Sequence, residues 1–357
     1  MSSPQTHLAA LLPKSGASVA HTIDSRPTPS PSPSEILIKI TATAINPVDW
    51  KVRDLGFFHS QWPAILGSDA AGTVAAVGSD VQSSFQVGER VFFQGIIGRY
   101  ESCTFQQYCV MPAALVGRTP KKVGDEEAAG VSLATLAVVT GFYDQTGQGL
   151  SPPPWEEGGE KVGKGKAAVV LGGSSSVGQY AVQFARLSGF ERVVTNSSSK
   201  HFEHLKGLGA TQVLDRSQAD AGEFGKAVGG LDVGFVYDAI SEKETQRLGV
   251  EILHALGKKG NVICVQGVND EAKAEGEKVG VEVKQIMGLG SKPELRPLSE
   301  PLMKALGGED GWIAKGQLVP NRVEVVNGGL KGLDDALEKN KKGVSGVKVV
   351  IKPQESA

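Results

Sequence analysis

Five apolar residues, Ala167-Ala168-Val169-Val170-Leu171, run directly into Gly172-Gly173-Ser174-Ser175-Ser176-Val177-Gly178. Those seven lead into QYAVQFARL, whose apolar positions recur at helical spacing. A strand, a tight turn and a helix in that order leave few folds open. An apolar run without alternation needs cover on both faces, as in a parallel sheet, and parallel strands need crossovers that are usually helical. The neighbouring sequence keeps to this plan. Arg192–Thr195, Gln212–Leu214, Val233–Tyr237 and Asn261–Val265 read as strands, with His201–Leu208 and Glu244–Leu256 as helices between them. Leu133–Tyr143 is apolar enough for a buried helix, and Asp144–Gly165 is a polar loop rich in Pro and Gly. The pattern predicts an α/β fold built on a doubly wound parallel sheet.

Upstream the texture changes to short β-like runs. Glu35–Ile45 alternates apolar and polar residues as a half-buried strand does, and Ala70–Val77 and Arg90–Phe93 read similarly. Pro27–Ser34 (PTPSPSPS) reads as an exposed loop. The final segment, Arg322–Lys352, is read as strand, helix and strand. With 357 residues the chain is too long for one ordinary core, so two domains are expected. A net charge of −2 gives no basic surface for nucleic acid or anionic lipid. Three cysteines, Cys103, Cys109 and Cys264, make no disulfide framework and suit a reducing compartment. The segment MSSPQTHLAALLPKSG lacks the basic start and apolar core of a secretory leader, and no apolar stretch is long enough to span a bilayer. A cytoplasmic protein is expected.

The glycine turn is a candidate anion cradle. Its glycines permit close backbone approach, and the following helix presents free N–H groups and a positive dipole end to a pyrophosphate. Gly173, Ser174, Ser175, Ser176 and Val177 are the expected contacts. Where an NAD-binding fold carries an acid about 20 residues further on, to bind ribose hydroxyls, this chain reads Thr195-Asn196-Ser197-Ser198-Ser199-Lys200. Hydroxyls and a cation at Ser198, Ser199 and Lys200 suit a 2′-phosphate, with Arg216 adding charge or stacking on adenine. NADPH is the expected cofactor.

Further motifs run along nearly the whole chain: Asn46-Pro47-Val48-Asp49-Trp50-Lys51, Ile65-Leu66-Gly67-Ser68-Asp69-Ala70-Ala71-Gly72-Thr73-Val74, Val87-Gly88-Glu89-Arg90-Val91, HLKGLGATQVLD and the terminal GVSGVKVVIK. With the glycine turn, this set resembles the medium-chain dehydrogenase/reductases. The resemblance implies a GroES-like β domain over residues 1–131, a Rossmann NADPH-binding domain over 132–312, and a return to the first domain over 313–357. It further implies that Asn46, Pro47, Gly267 and Lys348 lie against the cofactor, and that Tyr237–Ser241 and Val265–Val268 end strands beside it.

Zinc alcohol dehydrogenases of this family carry Cys near Val48, His-Glu where Ser68-Asp69 stand here, and a third ligand on the helix that reads VSLATLAVV. These ligands and the four-Cys structural lobe are absent, so no metal is expected. The chain is similar to the zinc-free quinone reductases and enoyl reductases, including fungal enoyl reductases that work with polyketide synthases. That likeness places Lys51 of NPxDxK in the active site and faces Thr140 of LAVVT toward the nicotinamide. It implies hydride transfer to an activated C=C bond of an enone, enal, quinone or enoyl thioester, small or carrier-tethered, by a monomer or homodimer. A non-catalytic NADPH-binding regulator of the same fold is the alternative. The Tyr donor of mitochondrial-type enoyl reductases is missing, and His59 is either its substitute or an exposed histidine. Phe57, Phe58 and Trp62 either line an apolar cleft or pack the β domain, and His201–His204 reads as an exposed helix face.

Overall fold

The computed structural model describes residues 3–17 and 19–356. It forms two compact units: the residues up to Leu133 with those from Ser299 onward, and Ala134–Leu298. In the first unit, strands β1 (Thr6–Leu12), β2 (Thr22–Pro27) and β3 (Glu35–Ala44) precede helix α1 (Pro47–Leu55). Strands β4 (Ala64–Ile65), β5 (Asp69–Val77), β6 (Arg90–Gln94), β7 (Tyr108–Pro112) and β8 (Val116–Arg118) follow, then the single turn α2 (Asp125–Ala128). Helix α3 (Ser132–Tyr143) begins in the first unit and ends in the second.

The second unit alternates β9 (Ala167–Leu171), α4 (Ser176–Leu187), β10 (Arg192–Ser197), α5 (Phe202–Leu208), β11 (Gln212–Asp215) and α6 (Ala221–Val228). It continues with β12 (Phe235–Asp238), α7 (Lys243–Ala255), β13 (Gly260–Cys264), α8 (Asp270–Val279) and β14 (Val281–Gln285). Its sheet is parallel, in the order β11-β10-β9-β12-β13-β14. All five residues of β9 are buried, as an unbroken apolar run between two neighbours requires. Val169, Leu171, Val236, Val262, Phe224, Ile252 and Leu253 share one core beneath the sheet.

Helix α9 (Arg296–Leu306) leads back to the first unit, which β15 (Val323–Val325), α10 (Leu333–Lys342) and β16 (Lys348–Ile351) complete. Its main sheet runs β15-β16-β3-β5-β6-β8, with β7 also paired to β3. The expected pairing of a β-rich unit with a doubly wound one is therefore what the chain forms.

Two features depart from the sequence reading. The alternation in β3 predicts one wet face, yet only Lys39 is exposed and Thr41 half-buried. Thr43 is buried because its hydroxyl donates to the Asp69 carbonyl (2.9 Å) and sits 2.7 Å from the Thr104 hydroxyl. Helix α1 interrupts a stretch read as β. Its signals are local: Asn46 as N-cap, Pro47 in the first turn, Asp49 returning to the Asn46 N–H, and Gly56 closing the end at φ 80°. Strand β14 and helices α6, α8 and α9 also lie outside the elements expected from the sequence. Helix α8 (DEAKAEGEKV) carries so few apolar residues that periodicity says little, and its capping residue Asn269 is the clearer mark.

Two helical glycines give contrasting tests of packing. A Cβ at Gly141 of α3 would meet Tyr237 Cε2 at 2.4 Å, whereas one at Gly207 of α5 would meet nothing within 4 Å. Gly141→Ala should lower stability by about 1–3 kcal/mol through overpacking, and Gly207→Ala should raise it by about 0.4–1 kcal/mol. Urea unfolding midpoints at constant m-value read both.

Candidate active site and cofactor site

In the second unit the glycine turn leaves β9 at the carboxyl edge, where the strand order reverses between β10 and β12. Two glycines fit it between those neighbours. A Cβ at Gly172 would strike Ile240 Cγ1 at 2.3 Å, and one at Gly173 would strike Thr195 Oγ1 at 2.2 Å. Gly178 brings α4 down onto the turn, since a Cβ there would lie 2.2 Å from the Gly172 carbonyl oxygen. These are the close approaches that a pyrophosphate cradle requires.

Hydrogen bonding divides the labour among the turn residues. Gly172 N–H donates to Asn196 Oδ1 (2.8 Å) and Gly173 N–H to the Asn196 carbonyl (3.1 Å), so both groups hold the turn to β10. Ser175 is the N-cap of α4, its hydroxyl accepting from Gly178 N–H at 3.0 Å. Ser174 Oγ accepts from the Ser197 hydroxyl at 2.8 Å, which leaves the proton of Ser174 for another acceptor. Gln179 Nε2 donates to the Ser174 carbonyl (3.2 Å), while Gln179 Oε1 lies 2.9 Å from His204 Nε2. The stretch His201–His204 is thus not the exposed face read from the sequence. His201 is buried, and His204 braces the turn through Gln179.

Beyond β10, Ser198 is half-buried while Ser199 and Lys200 are exposed. Arg216 is also exposed, and its N–H donates to the Ser197 carbonyl at 2.9 Å, beside the same strand end. The acid ending β11, Asp215, bonds the backbone and hydroxyl of Ser217, and these bonds hold its carboxyl below the ordinary value. Gly267 is exposed, with nothing within 4 Å of where a Cβ would stand. The donors, glycines and cations present fit a phosphorylated dinucleotide.

The first unit gathers Asn46 and Lys348, both expected at the cofactor, with three further residues into one buried cluster. Asn46, Asp49, Ser68, Asp69 and Lys348 are all at most 3% exposed. Asp49 accepts from Asn46 N–H (2.7 Å) and from the Ser68 hydroxyl (2.9 Å). Lys348 Nζ donates to Asn46 Oδ1 and lies 3.7 Å from Asp69 Oδ2. Asp69 Oδ1 accepts from Leu133 N–H at 3.2 Å. Burial pushes both carboxyls up to about 7 against the pull of Lys348, and burial lowers the Lys348 ammonium. Gly130 leaves room for the lysine stem, since a Cβ there would meet Lys348 Cγ at 2.8 Å. Ser68 and Asp69, read only as replacements for metal ligands, are structural members of this cluster.

Lys51 is half-buried on α1, with Nζ 5.3 Å from the Trp50 ring centroid. Thr140 lies on α3 and is 2% exposed. Pro47 is exposed at the first position of α1. His59 is half-buried, and its two ring nitrogens are enclosed without hydrogen-bond partners between Tyr100 and Trp62, which lowers its basicity. Phe57 and Phe58 stay exposed (45% and 46%), whereas Trp62 packs against the core that includes Val52, Leu66 and Leu333. Among the described residues, no group of three or more His, Cys, Asp or Glu side chains is disposed to hold a metal ion, and no helix is long and apolar enough to cross a membrane.

A GroES-like domain of alcohol dehydrogenases matches residues 32–140, and a zinc-binding dehydrogenase domain matches 176–291. The chain belongs to the medium-chain dehydrogenase/reductase superfamily, a family of oxidoreductases. It is 30% identical to dehydrogenase orsE of Emericella nidulans over 97% of this chain and 99% of that one. Trans-enoyl reductase tndF of Aspergillus flavipes is 31% identical over 97% and 98% of the two chains. A Rhizobium etli structure described as a putative zinc-dependent alcohol dehydrogenase aligns with TM-score 0.79, 25% identity and 98% coverage of both chains. The fold is shared with Escherichia coli quinone oxidoreductase complexed with NADPH, at TM-score 0.70, 20% identity, and 98% and 100% coverage.

The raised carboxyls have a thermodynamic signature. Folded Asp49 holds its proton up to about pH 7, whereas in the unfolded chain it loses it near the ordinary aspartate value. Between those limits the folded state binds more protons, so this residue's contribution to stability falls as pH rises. Asp49→Asn removes the titration. Its unfolding midpoint should rise relative to the unsubstituted protein as pH goes from about 5.5 to 8. A constant difference across that range would contradict the shift.

Proposed function

We propose that the protein is an NADPH-dependent reductase that, without zinc, adds hydride to an activated C=C bond of an enone, enal, quinone or enoyl thioester. The observation that carries this reading is the edge of β10. There Ser198, Ser199, Lys200 and Arg216 stand beside a braced glycine turn, while Asp215 is engaged by Ser217. A carboxylate directed at the adenosine ribose would favour NAD, whereas exposed cations and hydroxyls favour a 2′-phosphate.

When bound, the cofactor supplies the hydride. The backbone at Ser174–Val177 and the positive end of α4 bind its pyrophosphate, and Lys200 with Arg216 binds its 2′-phosphate. As hydride reaches the β-carbon of the substrate, the C=C electron pair moves toward the carbonyl and an enolate forms. The ammonium of Lys51 stabilises the enolate oxygen, Thr140 orients the reacting ring, and water protonates the α-carbon. Asn46, Pro47, Gly267 and Lys348 complete the cofactor contacts. Support for operating without a metal comes from the side chains present: Val48, Ser68 and Asp69 offer one carboxylate between them, already shared by Lys348 and Leu133. The trans-enoyl reductase relative supports the C=C substrate class.

Purified protein should oxidise NADPH with at least one member of a panel of enones, quinones and enoyl thioesters, followed by loss of reduced-nicotinamide absorbance. Confirmed NADPH binding with no turnover across the panel would overturn the reading. Charge-assisted hydrogen bonds contribute about 1.5–3 kcal/mol, so Lys200→Ala should raise KM for NADPH roughly 10- to 100-fold and leave that for NADH unchanged. Lys51→Met should lower kcat about 100-fold while NADPH affinity is retained.

A further inference from the structure

We propose that Asp69 is a positioning residue for this reductase, its buried carboxylate fixing at one point the carboxamide of Asn46, the ammonium of Lys348 and the first turn of the helix that carries Thr140. The inference rests on the reductase reading above. It adds a residue that contacts neither substrate nor cofactor.

The geometry is specific. Asp69 Oδ2 accepts from Asn46 Nδ2 (3.5 Å) and lies 3.7 Å from Lys348 Nζ, while Oδ1 accepts from Leu133 N–H (3.2 Å). Leu133 is the second residue of α3, so its N–H belongs to the group that a helix leaves without an internal partner. A carboxylate there also complements the helix dipole. The orientation of Asn46 follows from its neighbours. Its amide nitrogen faces Asp69 and its oxygen faces Lys348, so reversing the amide would place donor against donor. Three chain segments far apart in sequence therefore take their register from one carboxylate. Asp69 itself is held from behind, where its carbonyl accepts from the Thr43 hydroxyl.

A purely apolar replacement could fill this space, and buried ion pairs are weak stabilisers. What an apolar group could not do is fix the direction of an amide, an ammonium and a helix end together. The charged groups facing Asp69 are Lys348 on β16 and Asp49 on α1. The Cys103 thiol, near Asp49, is pushed up to about 12 by burial and stays neutral. With Asp69 itself raised to about 7, its hold on Lys348 strengthens as pH passes through neutrality.

The test compares the unsubstituted protein with Asp69→Asn, Asp69→Glu and Lys348→Met. It uses NADPH titration by nicotinamide fluorescence, and kcat and KM across pH 5.5–8.5. Asp69→Asn keeps the shape but turns a donor toward two donors. It should lower kcat at least 10-fold, weaken NADPH binding about 10-fold, leave KM for the enone within twofold, and lose the limb of the kcat profile near pH 7. Asp69→Glu should restore part of kcat together with that limb. Lys348→Met should reproduce the flattened profile, and Asp69→Asn/Lys348→Met should lose no more than the worse single variant.

Asp69→Asn with unchanged kcat, affinity and pH profile would overturn the proposal, as would additive losses in the double variant. If Asp69→Asn does not fold, Lys348→Met decides: a folded variant with an unaltered pH profile and NADPH affinity sinks the idea. Should the unsubstituted protein bind NADPH but turn over nothing, the reductase reading fails separately. The role of Asp69 is then read from affinity alone, where a 10-fold loss supports the positioning of Asn46 and Lys348 and no loss refutes it.

Discussion

The contact between Lys348 and Asp69 joins two chain segments of one unit that are separated in sequence by an entire second unit. Two carboxylates and one ammonium are all but sealed from solvent, and the desolvation of each is severe unless the others are in place. The surrounding structure is arranged to satisfy them. Glycine stands at position 130 so that the lysine stem can pass, Asn46 bridges ammonium to carboxylate, and Ser68 and the first turn of α1 supply donors to Asp49. On the outer side the return segment is tied down by α10. Its Glu338 pairs with Arg53 (2.5 Å), Lys341 with Asp54 (2.7 Å), and Asp334 with His21 (2.7 Å). Such partly exposed pairs are individually weak, so the apolar contacts of Leu333, Leu337, Val349 and Ile351 carry the attachment.

The cofactor half of the molecule was legible in the sequence because its signals are local. A run such as AAVVL followed by GGSSSVG states strand, turn and helix within about twenty residues, and the structure adds only which hydroxyl does what. The first unit was less legible because its organisation is long-range. Asp69 looks like an ordinary strand acid, and Lys348, expected at the cofactor by resemblance alone, shows no link to it until β16 pairs with β3. The sequence could nominate Asn46 and Lys51 by motif, yet nothing in it said that Asn46 would be gripped from both sides. Helix α1 has its boundary signals in Asn46, Pro47 and Gly56, set within a β-like texture that masks them. His59, Phe57 and Phe58 show the limit differently. Their residue types are compatible with core, cleft or surface, and only the chain's path separates an enclosed imidazole from two half-exposed rings.

The glycine turn shows how little of a binding motif need face its ligand. Of the groups in GGSSSVG, the N–H groups of Gly172 and Gly173 and the hydroxyl of Ser175 serve the protein itself. Gln179 and His204 then connect the turn to α5, the helix that follows Ser198–Lys200. Side-chain hydrogen bonds thereby link the glycine turn both to the end of β10 and to α5.

The discontinuity of the first unit also has a meaning in time. A ribosome releases Ala134–Leu298 as one uninterrupted stretch, while β3, β5 and α1, made earlier, still lack β16. In sequence order the first unit is begun before the second and closed after it. Without Lys348 the carboxyls of Asp49 and Asp69 would lack the cation that faces them. Docking of β16 against β3 is in that sense an internal ligand-binding event, with the strand as the ligand.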